Sequence, residues 1–181
     1  MKRLKILTIS IFSFLLIGSC AVLPPTLNQE NIIISANCKW IGKMGQKTLS
    51  VGAAKPVLKN VSTGTYYKVQ YKKKPYTFFY SVPPGVYIIE EIVLNAGQVK
   101  ATMNTSNLTN SFEINQPGVY YLGGVDIIDY QTRFEYKVHD SIAEQNDMKA
   151  ISQILSAETS LTAPINVNLV EGIFIKERWE R

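Results

Sequence analysis

The sequence predicts a mainly β protein, an antiparallel β-sandwich with one helix near the C-terminus. Three observations predict it. All ten tyrosines lie between Tyr66 and Tyr136, and aromatic residues favour the pleated, half-buried surface of a strand. Turn signals at Pro83-Pro84-Gly85, Asn95-Ala96-Gly97 and Gln116-Pro117-Gly118 divide that region into runs of strand length. Apolar residues at helical spacing follow only after Asp140.

The first residues are a targeting segment rather than part of the sandwich. Lys2, Arg3 and Lys5 precede an apolar run from Ile6 to Ile17, broken only by Thr8, Ser10 and Ser13. That run is too short for a bilayer core, which takes about 20 apolar residues. It suits the central region of a secretory signal, here residues 1–19 with small Gly18 and Ser19 at the end. Leu16-Ile17-Gly18-Ser19-Cys20 resembles the bacterial lipobox. The resemblance implies cleavage before Cys20 and acylation of its thiol, making the membrane a partner through a lipid anchor on Cys20. With roughly 0.8 kcal/mol per buried methylene, several acyl chains on one residue hold far more firmly than a single chain. Ala21 and Val22 follow Cys20 where inner-membrane retention takes Asp, which resembles the outer-membrane default. The implied location is the bacterial envelope, facing periplasm or surface.

The formal charge of +5 falls to +2 without Lys2, Arg3 and Lys5, which removes most of the argument for nucleic acid as a partner. One His and two Cys exclude a zinc ribbon, a disulfide framework and a multi-histidine metal site, so no metal or cofactor is expected. With Cys20 acylated, Cys38 is the remaining thiol. Alternation over residues 31–40 places Ile32, Ile34, Ala36, Cys38 and Trp40 on one face, against Ile33, Ser35, Asn37 and Lys39. Cys38 therefore reads as a core residue.

Residues 20–30 read as the lipidated Cys and a short tether with a proline pair, of which the ten residues after Cys20 span at most about 35 Å. Residues 31–181 form the sandwich domain. Tyr66 to Lys72 and Tyr76 to Val82 flank Lys73-Lys74-Pro75, a hairpin with a basic tip. Tyr71, Lys72, Lys73, Lys74 and Tyr76 form the candidate binding surface, where charge and ring faces suit anionic lipids or glycans. The competing reading makes the lysines guards of an edge strand, with Tyr67, Val69 and Tyr71 facing the core. Further strands follow over residues 86–94, 98–103, 112–114 and 119–129, with a polar loop over residues 104–111. Pro84-Gly85-Val86-Tyr87 and Pro117-Gly118-Val119-Tyr120 repeat one corner, Pro fixing the approach and Gly freeing the turn.

Phe79-Tyr80-Ser81-Val82-Pro83-Pro84-Gly85-Val86-Tyr87 and Ile114-Asn115-Gln116-Pro117-Gly118-Val119-Tyr120-Tyr121-Leu122-Gly123 resemble the signature of bacterial lipoproteins with a carboxypeptidase-regulatory-like or transthyretin-like (prealbumin-like) β-sandwich. The resemblance spans about residues 31–130 and implies a fold and an envelope location. It brings no catalytic residues.

Beyond it, Asp140-Ser141 caps a helix near residues 141–157, with Ser141 and Glu144 spaced as a capping box. Ile142, Met148, Ile151 and Leu155 share one face, and Ala163-Pro164 stops the helix. Residues 165–179 are expected as terminal strands forming a hairpin. The helix then covers an edge or an open face of the sandwich.

Catalytic patterns are weak. His139-Asp140-Ser141 holds the residue types of a hydrolase triad, but neighbours in a chain point apart. Asp126 with Asp129, and Glu90 with Glu91, do not share a strand face. The expectation is a non-enzymatic, membrane-anchored envelope lipoprotein acting as a binding or assembly module with an envelope protein partner. The alternative is a ligand, glycan or anionic-lipid binder using the Lys/Tyr hairpin at 66–80.

Overall fold

The computed structural model describes residues 31–96, 99–158 and 165–180. The expected signal segment, Cys20 and the tether lie outside the described residues, as do Gly97 and Ala163-Pro164.

The chain enters through β1 (Ile32–Met44) and turns at Gly45 into β2 (Lys47–Ala53). β3 (Lys55–Asn60), β4 (Tyr66–Lys68), β5 (Tyr71–Lys73), β6 (Tyr76–Tyr80), β7 (Gly85–Ala96), β8 (Val99–Asn104) and β9 (Phe112–Ile114) follow. The last segment contains β10 (Gly118–Asp129), β11 (Phe134–Val138), α1 (Ser141–Glu158), β12 (Val167–Leu169) and the single turn α2 (Lys176–Trp179). The first sheet runs β11-β10-β1-β6-β5, with β2 also on β1 and β12 also on β10. The second runs β4-β3-β7-β8, with β9 also on β7. This is the mainly β sandwich with a C-terminal helix that the sequence predicts.

β1 shows how the layers form. Ile32, Ile34, Ala36 and Cys38 face the core between the sheets, where Ile89, Ile92, Leu122, Val125 and Trp179 meet them. Ile33, Ser35 and Asn37 on the reverse face are buried too. α1 lies over that face, packing Ile151 and Leu155 on Ile33, Phe78, Val119 and Tyr121.

Four details differ from the sequence reading. The first sheet is mixed rather than wholly antiparallel, since β1 and β10 are parallel, as are β10 and β12. Parallel neighbours need a long crossover. The second sheet supplies the first crossover and α1 the second. Next, residues 66–72 do not continue one hairpin arm. β4 pairs with β3 in the second sheet, while β5 pairs with β6 in the first, so the chain changes sheets at Val69-Gln70. The terminal hairpin is replaced by the three-residue β12, one bridge from Phe174 to Thr109, and α2. Trp179 accounts for this. A helical turn sinks its ring to 1% exposure, and its Nε1 donates to the Leu108 carbonyl at 2.8 Å, which fastens the 104–111 loop. Finally, of the expected Asp140-Ser141 cap it is Asp140 that caps α1, its carboxylate accepting from the Ala143 amide at 2.9 Å, while Ser141 is already the first helical residue and not the cap of a Ser141/Glu144 box. The buried stripe of α1 is Asp147, Ile151 and Leu155, while Ile142 is 70% exposed.

The repeated Pro-Gly corner opens a twelve-residue strand in each sheet, β7 and β10. Gly85 and Gly118 have nearly equal φ, 157° and 153°. In each copy the tyrosine two residues on donates back to the carbonyl four residues earlier. Tyr87 bonds Pro83, and Tyr120 bonds Gln116 at 2.9 Å. A tyrosine reaching back across the corner ties the strand entry to the preceding loop.

Candidate functional site

Two places concentrate charged side chains. The first lies between the first sheet and α1. Gly123 has φ +86°, a value that favours glycine, and β10 spends one extra residue there. Ser35 pairs with Tyr121, but Asn37 pairs with Gly124. The bulge lets the chain re-aim its side chains, and the bare Gly124 leaves room for the His139 ring. A Cβ on Gly124 would lie 2.4 Å from His139 Nδ1.

His139 bridges two carboxylates. Its Nδ1 is 2.8 Å from Asp147 Oδ2 and its Nε2 is 3.2 Å from Asp126 Oδ1. Burial alone lowers the imidazole pKa, but the hydrogen bonds and charges of Asp126 and Asp147 outweigh it and lift the group to about 9. The ring is therefore an imidazolium at neutral pH, donating from both nitrogens. Asp126 also faces Lys39 Nζ at 3.3 Å. Asp147 accepts from Asn37 Nδ2 at 3.0 and 3.1 Å, from the Tyr76 hydroxyl at 2.9 Å and from the Tyr121 hydroxyl. Burial raises both aspartates, yet these partners hold both below the usual carboxylate range.

The charges balance, two carboxylates against an imidazolium and an ammonium. Each ring nitrogen already donates to a carboxylate, so neither is placed to take a proton from a substrate. Chemically the cluster is a clamp that joins α1 to β1, β6, β10 and the end of β11. The triad order His139-Asp140-Ser141 is not realised, since Asp140 caps the helix and His139 turns to Asp126 and Asp147. Asp129 serves a turn, accepting from the Gln131 amide at 2.7 Å.

The second place is the corner where β4 passes to β5. It divides the five residues expected to form a binding surface. The Tyr71 hydroxyl and Lys73 Nζ both reach Glu158 Oε1, at 3.0 and 3.2 Å. Tyr71 and Tyr76 are partly buried against the α1 side of the first sheet, and Tyr76 belongs to the clamp. Lys72 and Lys74 remain exposed at the corner. Lys72 is pushed down to about 8, first by partial desolvation and then by Lys55 and Lys74. Among the described residues, neither Lys72 nor Lys74 has a carboxylate within ion-pair distance, and the same holds for Lys55, Lys68 and Lys100.

Lys55, Lys68 and Lys100 come from β3, β4 and β8 and meet on the outer face of the second sheet, around a cleft of about 520 Å³. Nothing local in the sequence gathers them, because 45 positions separate Lys55 from Lys100 and only strand register makes them neighbours. The one usable signal is strand alternation, which puts Lys55 and Lys59 on the face opposite Leu58. Cys38 is wholly buried, its thiol pushed up to about 12 by burial and then by Asp126, in keeping with a core role.

Comparisons with protein families, with characterised proteins and with solved structures return no match to this chain. The fold and its two charged places therefore stand on their own geometry. Among the described residues no helix is long and apolar enough to cross a membrane, and no group of three or more His, Cys, Asp or Glu could hold a metal ion.

Proposed function

We propose that this chain is a non-enzymatic envelope lipoprotein, anchored through acylated Cys20, that presents a rigid β-sandwich as a binding or assembly module. The observation that carries the reading is the contrast between its two charged places. The His139 cluster pairs its charges internally, whereas Lys55, Lys68 and Lys100 line one open cleft, with Lys72 beside Lys55, and these lysines and Lys74 have no acid partner among the described residues. Such a face attracts anions and steers them to contact.

Anchoring supports the same reading. Ten residues separate Cys20 from Asn31, so a lipid on Cys20 keeps the sandwich within about 35 Å of its bilayer. Ala21 and Val22 after Cys20, which resemble the outer-membrane default, support an outer-membrane location facing periplasm or surface.

The test has two parts. Cells fed an alkyne-tagged fatty acid should label the chain, and Cys20→Ala should abolish the label; an unlabelled wild type would end the anchoring half. A photo-crosslinker placed at Lys72 or Lys74 should capture an envelope component that the same group at Lys137, on the opposite edge strand, does not. Equal capture from both positions would end the binding-face half.

A further inference from the structure

The outer face of the second sheet carries more than loose positive charge. Lys59 is the internal comparison: it sits on the same face of β3 as Lys55, yet its ammonium is matched by Glu90 Oε1 at 3.1 Å and lies 5.5 Å from the Tyr66 ring centre. Four residues away Lys55 has no such match among the described residues. It joins Lys68 and Lys100 around the cleft, with Glu91 as the single carboxylate in the lining.

Three lysines against one glutamate leave a lining charge of +2. A phosphate monoester carries about −1.5 to −2 at neutral pH, so one such group neutralises the cleft. The volume, about 520 Å³, falls in the range of small-ligand sites, roughly 300–1,000 Å³. The floor is not polar. Val57 is buried at 7% exposure and Val93 and Val69 are partly covered, an apolar surface for the C–H face of a sugar ring. Glu91 and Thr102 offer a hydroxyl-binding acceptor and a donor, and half-exposed Tyr66 forms a side wall. Glu91 also argues against a bare polyanion, which would meet it without a donor to offer.

We propose that this cleft binds a phosphate group carried on a sugar or polyol, with Lys55, Lys68 and Lys100 holding the phosphate and Glu91 and Thr102 the hydroxyls. The identity of this ligand rests on the envelope-binding reading only for its source. Lys72 and Lys74 extend the positive rim toward the corner, where an approaching anion also relieves the repulsion between Lys72 and Lys55.

The probe is glucose 1-phosphate, titrated into the purified full chain in a neutral detergent and followed by calorimetry and by the melting temperature. Saturable binding is expected, weakening as salt is raised and absent with glucose alone. Lys68→Gln with Lys100→Gln should weaken it about tenfold or more, the scale of lost charge-assisted hydrogen bonds. Lys59→Gln should leave it unchanged, and unaltered melting of the unliganded variants shows that they fold. Competition by lipid A doped into the micelles, whose sugar phosphates are monoesters, assigns the phosphate to a lipid headgroup; no competition assigns it to a free saccharide phosphate. The proposal is overturned if glucose 1-phosphate does not bind at millimolar concentration, if Lys59→Gln weakens binding as much as the double variant, or if only a single-stranded oligonucleotide binds. Such a failure leaves acylation of Cys20 standing, and an unacylated Cys20 with intact binding removes the anchor but not the site.

Discussion

Replacing Asp147 by Asn tests whether the clamp holds α1 on the first sheet. The substitution keeps the shape of the side chain, 7% exposed, but turns one acceptor oxygen into an NH2 donor. If the amide nitrogen takes the Oδ2 place, it meets His139 Nδ1, the Tyr121 hydroxyl and one arm of the forked Asn37 Nδ2 bond. In the Oδ1 place it meets Tyr76 and Asn37 Nδ2. Either way at least two bonds to a charged acceptor are lost, at about 1.5–3 kcal/mol each. Allowing for hydroxyl rotation, the expected loss is about 3–4 kcal/mol, a large share of the 5–15 kcal/mol typical of a domain. Urea unfolding at pH 7, followed by tryptophan fluorescence, measures the difference, and NMR titration of the single histidine should show its pKa falling below the wild-type value. A loss under about 1 kcal/mol with an unchanged histidine titration would refute the clamp.

The same cluster sets the pH range of stability. His139 is raised from 6.5 to about 9, so its contribution is complete below 6.5 and is lost as pH rises through about 9. Asp126 and Asp147 are lowered from 3.8, so theirs is complete above 3.8 and is lost as pH falls through the depressed folded values. Lys72, lowered to about 8, acts oppositely, its penalty being relieved from pH 8 toward 10.5. Unfolding midpoints from pH 2 to 10 should show a plateau between about 4 and 6.5 and a decline from there to about 9, and a flat alkaline side in wild type would contradict it. Gly124→Ala places a methyl against the His139 ring and should destabilise by about 1–3 kcal/mol, with the histidine titration moving down; an unshifted titration would mean that the ring is not seated there. Tyr87→Phe leaves the Pro83 carbonyl without its donor and should lose about 1–2 kcal/mol, measured by thermal melting. Tyr120→Phe, whose bond to Gln116 is exposed, should lose less, and the reverse order would contradict the corner assignment.

The face that β1 turns toward α1 shows where sequence reading stops. Its alternation was legible, and so was the burial of Cys38. The burial of Ser35 and Asn37 was not, because a polar alternate in a strand reads as solvent-facing until something covers it. α1 is legible as a helix, but apolar spacing alone gives it an inner stripe that includes Ile142 and omits Asp147, since an isolated aspartate belongs by default on a surface. The spacing 147, 151, 155 was present throughout. Only a hub of four donors on other elements makes a buried carboxylate at its first position favourable.

The binding surface divides in the same way. The Lys/Tyr run over residues 66–76 is visible in the sequence as a concentration of charge and rings, and its spacing alone predicts an unbroken arm over 66–72. The change of sheet at Val69-Gln70 sends Tyr71, Lys73 and Tyr76 to partners on α1 and leaves Lys72 beside Lys55 of β3 and Lys74. Local spacing and composition determined the strands, the repeated Pro-Gly corners, the helix and the lipobox resemblance, because each depends on neighbours a few residues apart. The parallel seating of β10 beside β1, the His139 clamp and the lysine-lined cleft were decided by the tertiary structure. Each joins residues far apart in the chain, and no local preference encodes which of them will share a face.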